Sequence, residues 1–191
     1  MKQLCTFIFL AISIVTFGQN TQIDSIRHTS TGLANYATPP DSQYDAVMKL
    51  NWRTIKPLGR VSDFEKLFTQ EEIEHLENLI TLFDKTASIE IAVVTIDANQ
   101  VDANHFDEFA LFLAQYWQAG KKEKNNGILI ALSKVHRKIR ICNGYGIEKI
   151  MTDEDTKKII DSVSIPYLKQ GNYFTATLKS VQSIIDFLTV H

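Results

Sequence analysis

The chain has 191 residues, 45% of them apolar and 22% charged, with a formal net charge of −2. That balance suits one globular domain with room for a short additional arm. It lacks the basic footprint of a nucleic-acid binder, so no nucleic acid is expected among its partners.

The chain opens with MKQLCTFIFLAISIVTFGQN, one lysine ahead of a mostly apolar run with Thr16 and Gly18 near its end. This reads as a secretory signal peptide over residues 1–18, because the run is shorter than the roughly 20 residues a spanning helix needs. No second apolar stretch of that kind follows, so the mature chain is expected to carry no membrane anchor. Cleavage would remove Cys5 and leave Cys142 as the single thiol. No internal disulfide can then form, and the core must supply the stability. Residues 19–60 are polar, include Pro39-Pro40 and hold neither a 3.6 nor a 2.0 period, which predicts an arm or linker.

From Val61 onward, over 61–191, the signals are those of a folded domain. Thr69 and Glu72 form a capping box ahead of a helix whose apolar stripe is Ile73, Leu76, Ile80 and Phe83. Ile89–Ile96 is nearly continuous in β-branched residues, as a strand buried on both faces requires. A second helix follows, with Phe106, Phe109, Leu113 and Trp117 along one stripe, and then a polar loop from Gly120 to Gly127. GILIALS is a further buried strand, and the short KVHR link makes the next strand, KIRICN, antiparallel to it. Thr152 and Asp155 repeat the capping-box pattern before a helix bearing Ile159, Ile160 and Val163, which Pro166 ends or kinks. After a turn at KQGNY, the last helix presents Leu178, Val181, Ile185 and Leu188. The predicted order is α-β-α-β-β-α-α. A helix between two apolar strands implies a right-handed crossover, and helices on both faces of a small mixed sheet give an α/β fold.

The stretch CNGYGIEKIMTDED carries most of the possible chemistry. A cysteine phosphatase loop needs an arginine six residues after its thiolate, and that position holds Glu148, which would repel phosphate. An aspartyl-phosphate motif needs its acids at a strand end, whereas Asp153–Asp155 open a helix and suit its dipole. The histidines at 28, 75, 105, 136 and 191 have no zinc spacing, and no nucleophile elbow or Walker loop is present. A hard-cation site is the remaining reading. It would gather oxygens beyond the strand ends from Asp63, Asp97, Asn125, Asn126 and Glu148, for Ca2+ or another divalent metal.

Four segments together resemble the TPM domain family: VSDFEKLFTQEE, KEKNNGILIALS, IRICNGYGIEKIMTDED and IPYLKQGNYFTAT, running in order from about Val61 to Leu188. The resemblance implies a three-layer α/β/α sandwich. The leader implies an exported protein, periplasmic or secreted after cleavage, and the resemblance implies relatives of the thylakoid-lumen, photosystem-repair, receptor-modulator and bacterial-envelope kinds. Some members are associated with divalent metals, and plant members with acid-phosphatase activity. Matched position by position, it points to Asp63, Asn126, Glu148 and Asp153 as candidate ligands, and to Gly127, Gly144, Tyr145 and Gly146 as residues shaping loops. Asn125 stands where the family carries an acid, and Asn172 likewise. Fewer carboxylates mean a weaker divalent site. Two functions follow as expectations: an interaction module that docks on an envelope or membrane protein, non-catalytic or weakly metal-binding, or a divalent-metal-dependent phosphatase-like hydrolase. No catalytic residue is identified.

Overall fold

The computed structural model describes residues 55–118, 120 and 124–191. The expected signal peptide and nearly all of the expected arm lie outside the described residues.

The domain is a four-stranded mixed sheet with helices on both faces, as the sequence predicts. Its strands are β1 (Val61–Asp63), β2 (Glu90–Thr95), β3 (Gly127–Ser133) and β4 (Lys138–Asn143), in that spatial order. The first three run parallel and β4 is antiparallel to β3. β1 is absent from the predicted order. Three residues are too few for a period to show, and Val61-Ser62-Asp63 becomes a strand only because β2 offers it an edge.

Helix α1 (Gln70–Ala87) starts where the capping box places it. Thr69 Oγ1 accepts from the Glu72 amide, and Glu72 Oε2 accepts from the Thr69 amide. Leu76, Ile80 and Phe83 are buried, and Ser88 ends the helix in the left-handed conformation at φ 56. A 3-10 turn (Ala103–His105), capped by Asp102, leads into α2 (Phe106–Tyr116), whose Phe106, Phe109, Phe112 and Leu113 are buried. The last third contains α3 (Tyr145–Glu148), α4 (Asp153–Ile159), α5 (Ile165–Leu168) and α6 (Tyr173–Val190).

All seven residues of β3 are buried, so the strand feeds two cores. On one face Ile128, Ile130 and Leu132 join Ile91 and Val93 beneath α1 and α6. On the other Leu129 and Ala131 join Val94 and Ile96 beneath α2. The crossovers from β1 to β2 and from β2 to β3 both step the same way across the sheet, yet α1 and α2 cover opposite faces. Two such crossovers have opposite hands, so one departs from the right-handed rule the sequence reading assumed.

Two further details refine the expectation. Of the two outcomes expected at Pro166, an end or a kink, the helix does not end there but changes form just ahead of it. A π-helical turn (Ile160–Ser164) joins α4 to α5, and the Ile165 amide at its end donates to the Ile160 carbonyl. On α6 the most buried positions are Ala176, Thr177, Ser180, Val181 and Ile184, while Leu178, Ile185 and Leu188 lie at the flank, half-buried against the same core. The small residues let α6 approach the π turn, where the Ser164 and Ser180 hydroxyls meet at 2.6 Å.

Residues 55–60, assigned by sequence to the arm, pack on the domain. Ile55 is buried in the α2-side core, and its carbonyl accepts from Trp117 Nε1 at 3.0 Å. Trp117 in turn tilts against Phe64.

Candidate functional site

The parallel strands give the sheet two unlike ends. β1 and β2 send their following helices to opposite faces, so the loops beyond their carboxyl ends part, and a crevice is expected there. Asp63 and Thr95 close that gap. Thr95 Oγ1 donates to Asp63 Oδ1 at 2.6 Å, and the Phe68 amide donates to Asp63 Oδ2 at 2.8 Å. The Glu65 amide donates to Thr95 Oγ1 at 2.9 Å. The Glu65 carboxylate crosses to the β3–β4 hairpin, accepting from the Lys134 amide at 2.7 Å, the Val135 amide at 3.0 Å and Ser133 Oγ at 3.3 Å. The end of β2 continues into a turn in which Asp97 Oδ1 accepts from the Asn99 amide and Gln100 Oε1 accepts from the Asp97 amide. Farther along, Asp102 Oδ1 lies 2.8 Å from His105 Nδ1. Burial alone would push the Asp102 carboxyl up; the hydrogen bond from His105 and the amides of Asn104 and His105 more than offset this and hold it below the ordinary range. His136 Nε2 meets the Val101 carbonyl, and the ring stands edge-on to Phe106.

The opposite end is built from backbone. Gly144 donates its amide to the Gly127 carbonyl at 2.8 Å, and Gly146 to the Asn125 carbonyl at 2.9 Å. A Cβ on Gly144 would lie 2.2 Å from the Asn125 carbonyl oxygen, and one on Gly146 would lie 2.2 Å from that of Lys124. Only glycine lets the two loops close to this distance. Asn125 turns the chain at φ 47, and buried Asn126 donates from Nδ2 to the Ser88 carbonyl at the end of α1. The Glu90 amide donates to the Asn126 carbonyl at 3.3 Å. The Gly-Tyr-Gly segment is therefore one side of a joint that locks the start of β3 to the end of β4.

The residues expected to share a metal are thereby divided. Asp63 is the last residue of β1, and Asp97 lies just beyond the carboxyl end of β2. Asn125, Asn126, Glu148 and Asp153 lie at the amino end of β3, roughly 20 Å away along a strand rising about 3.3 Å per residue. The sequence reading grouped the loops after Ile96, before Gly127 and after Ile141 at one place; the antiparallel turn of β4 puts the last two together and the first at the far end. Both Asp63 oxygens already accept from the chain. Glu148 is exposed, and Asp153 is exposed at the first turn of α4. Among the described residues no group of three or more His, Cys, Asp or Glu is arranged to hold a metal ion. The six residues do not fit a single divalent centre. Glu65 and Thr95, which organise the crevice end, were not singled out from sequence, since one acid two places after another carries no recognisable spacing.

A search of curated proteins finds no match. Among solved structures, the fold is similar to the N-terminal domain of a P. gingivalis protein, at 27% identity and TM-score 0.62, covering 69% of this chain and 82% of that one. It is also similar to the BA42 protein of the psychrophilic bacterium Bizionia argentinensis, at 20% identity and TM-score 0.58, covering 66% and 85%. The N-terminal domain of a Corynebacterium glutamicum protein matches at 16% identity and TM-score 0.52, covering 78% and 84%. The TPM domain family model matches residues 61–187, from the first residue of β1 into the last turns of α6. With the sheet, its two covering layers and the Gly-Tyr-Gly joint all inside that span, the chain belongs to the TPM domain family.

Proposed function

We propose that this protein is an exported, non-catalytic interaction module of the cell envelope, docking on an envelope or membrane protein. One observation carries the reading. At both ends of the sheet the polar groups best placed for chemistry are already bonded within the chain: Asp63 and Glu65 at one end, Asn126 and the glycine amides at the other. A hydrolase needs a nucleophile or base left available to substrate, together with a way to stabilise the developing charge. The leader-like residues 1–18 support export. No helix among the described residues is long and apolar enough to cross a membrane.

The test has two arms. In the first, the exported protein is crosslinked in envelope fractions, with excess untagged domain as competitor; a single competed partner supports the reading. In the second, phosphate monoester hydrolysis is compared between wild type and Glu148→Gln. Equal background rates are expected, and turnover that falls in the variant would overturn the non-catalytic reading. Divalent binding belongs to the same question. Calcium or magnesium is expected to leave the melting midpoint unmoved, because neither end gathers enough charged oxygens and a ligand raises stability only as it binds the folded state.

A further inference from the structure

We propose that the β3–β4 hairpin is a carboxylate-binding site that this chain fills with its own Glu65, a displaceable internal ligand. Successive backbone amides pointing to one spot make an anion-accepting concavity, and charge-assisted bonds to such amides are among the stronger ones. The hairpin provides this. The Lys134 and Val135 amides bond the two different oxygens of Glu65, and Ser133 Oγ adds a third donor. Ser133 Oγ is itself steadied by the His136 amide at 3.2 Å. The ligand arrives from a different element, 69 positions away from Lys134 in sequence. The donors therefore form a receptor and are not simply a turn satisfying itself.

Access and charge fit the same chemistry. Lys134 and Val135 are exposed, Val135 to 56%, so a carboxylate from solution can reach the two amides. Lys66, next in sequence to Glu65, and Lys134 and Arg137 of the hairpin are exposed and basic, so both segments that meet here carry positive charge. Lys66 at φ 54 and Arg137 at φ 55 hold the two facing loops in left-handed backbone that neither residue type favours. The site stands whether or not the domain docks on another protein.

The test uses the full chain carrying Glu65→Ala and acetate as the probe, with chloride at matched ionic strength as control. Nitrogen–proton correlation spectra should show saturable acetate shifts at the Lys134 and Val135 amides of the variant, with a rise in its melting midpoint. Wild type, already filled, should respond far less. Should Glu65→Ala fail to fold, Glu65→Ser also removes the side-chain oxygens that reach the hairpin amides, and the same titration applies. If Lys134 and Val135 respond to acetate no more than to chloride in the folded variant, Glu65 is only a turn brace and the proposal falls.

Discussion

Gly144 and Gly171 are glycines for different physical reasons. Gly144 has an ordinary φ of −72, but a Cβ there would meet the Asn125 carbonyl. Gly171 has open space around it and φ +78. Alanine at 144 should cost roughly 1–3 kcal/mol through overpacking. At 171 it should cost about 1–2 kcal/mol through left-handed backbone. Asparagine separates the causes: Gly171→Asn should cost less than Gly171→Ala, since asparagine tolerates that region, whereas Gly144→Asn should cost more than Gly144→Ala. Chemical denaturation of the four variants reads both orders; the same order at both sites would contradict the assignment. At this scale the Gly-Tyr-Gly segment was legible as a turn. Its mate was not, because nothing in the residues around Asn125 announces that Gly144 and Gly146 will lie against the Gly127 and Asn125 carbonyls. The grouping of Asp97 with Glu148 failed for a related reason: a residue type suggests ligation, but only strand direction says which end of the sheet it occupies.

Helix starts were the most legible elements, since a cap is written in adjacent residues. Both capping boxes form as predicted. Thr69→Ala should cost about 1 kcal/mol. At α4 the Thr152 hydroxyl and then its amide donate to Asp155 and hold that carboxyl below the ordinary aspartate range, with Lys158 adding to the effect. The folded value lies below the unfolded one, so this contribution is present above the unfolded value of about 3.9 and is lost as pH falls through the folded value. Wild-type stability should therefore fall more steeply on acidification than that of Asp155→Asn; parallel curves would show that the cap is not titrating. Elements were harder to read where packing decides them. β1 exists through its partner, and the π turn at Ile160–Ser164 exists because α6 brings Ser180 against Ser164.

At the scale of the molecule, two cores share one sheet, and the α2-side core is closed partly by residues preceding β1. Ile55 is buried and its carbonyl is held by Trp117, and Lys56 reaches the Tyr116 hydroxyl at 3.2 Å. A chain beginning at Val61 should lose the burial of Ile55, roughly 1.5–3 kcal/mol, and expose Trp117. Its denaturation midpoint should drop and its tryptophan emission should shift to the red relative to a chain beginning at Arg53, which shares Trp117 as its single tryptophan; coincident curves would remove residues 55–60 from the fold. Strands β2, β3 and β4 and both covering layers followed from hydrophobic period alone. The opposite hands of the two crossovers did not, because period says that a helix covers a sheet and not which face it takes.

The glycine joint also sets how the protein ages. Asn126-Gly127 and Asn143-Gly144 are the sequence type most prone to spontaneous loss of the side-chain amide, in which the following backbone nitrogen attacks the asparagine carbonyl and ammonia leaves. Here the Asn126 and Asn143 amides donate to Ser88 and Thr156, and the Gly144 nitrogen is committed to the Gly127 carbonyl. Folded protein held at mildly alkaline pH should keep both asparagines, while denatured protein should convert them to aspartate and isoaspartate, as peptide mass mapping would record. The contacts that close the sheet end thus act as a chemical clock, stopped while the chain is folded and running whenever it opens.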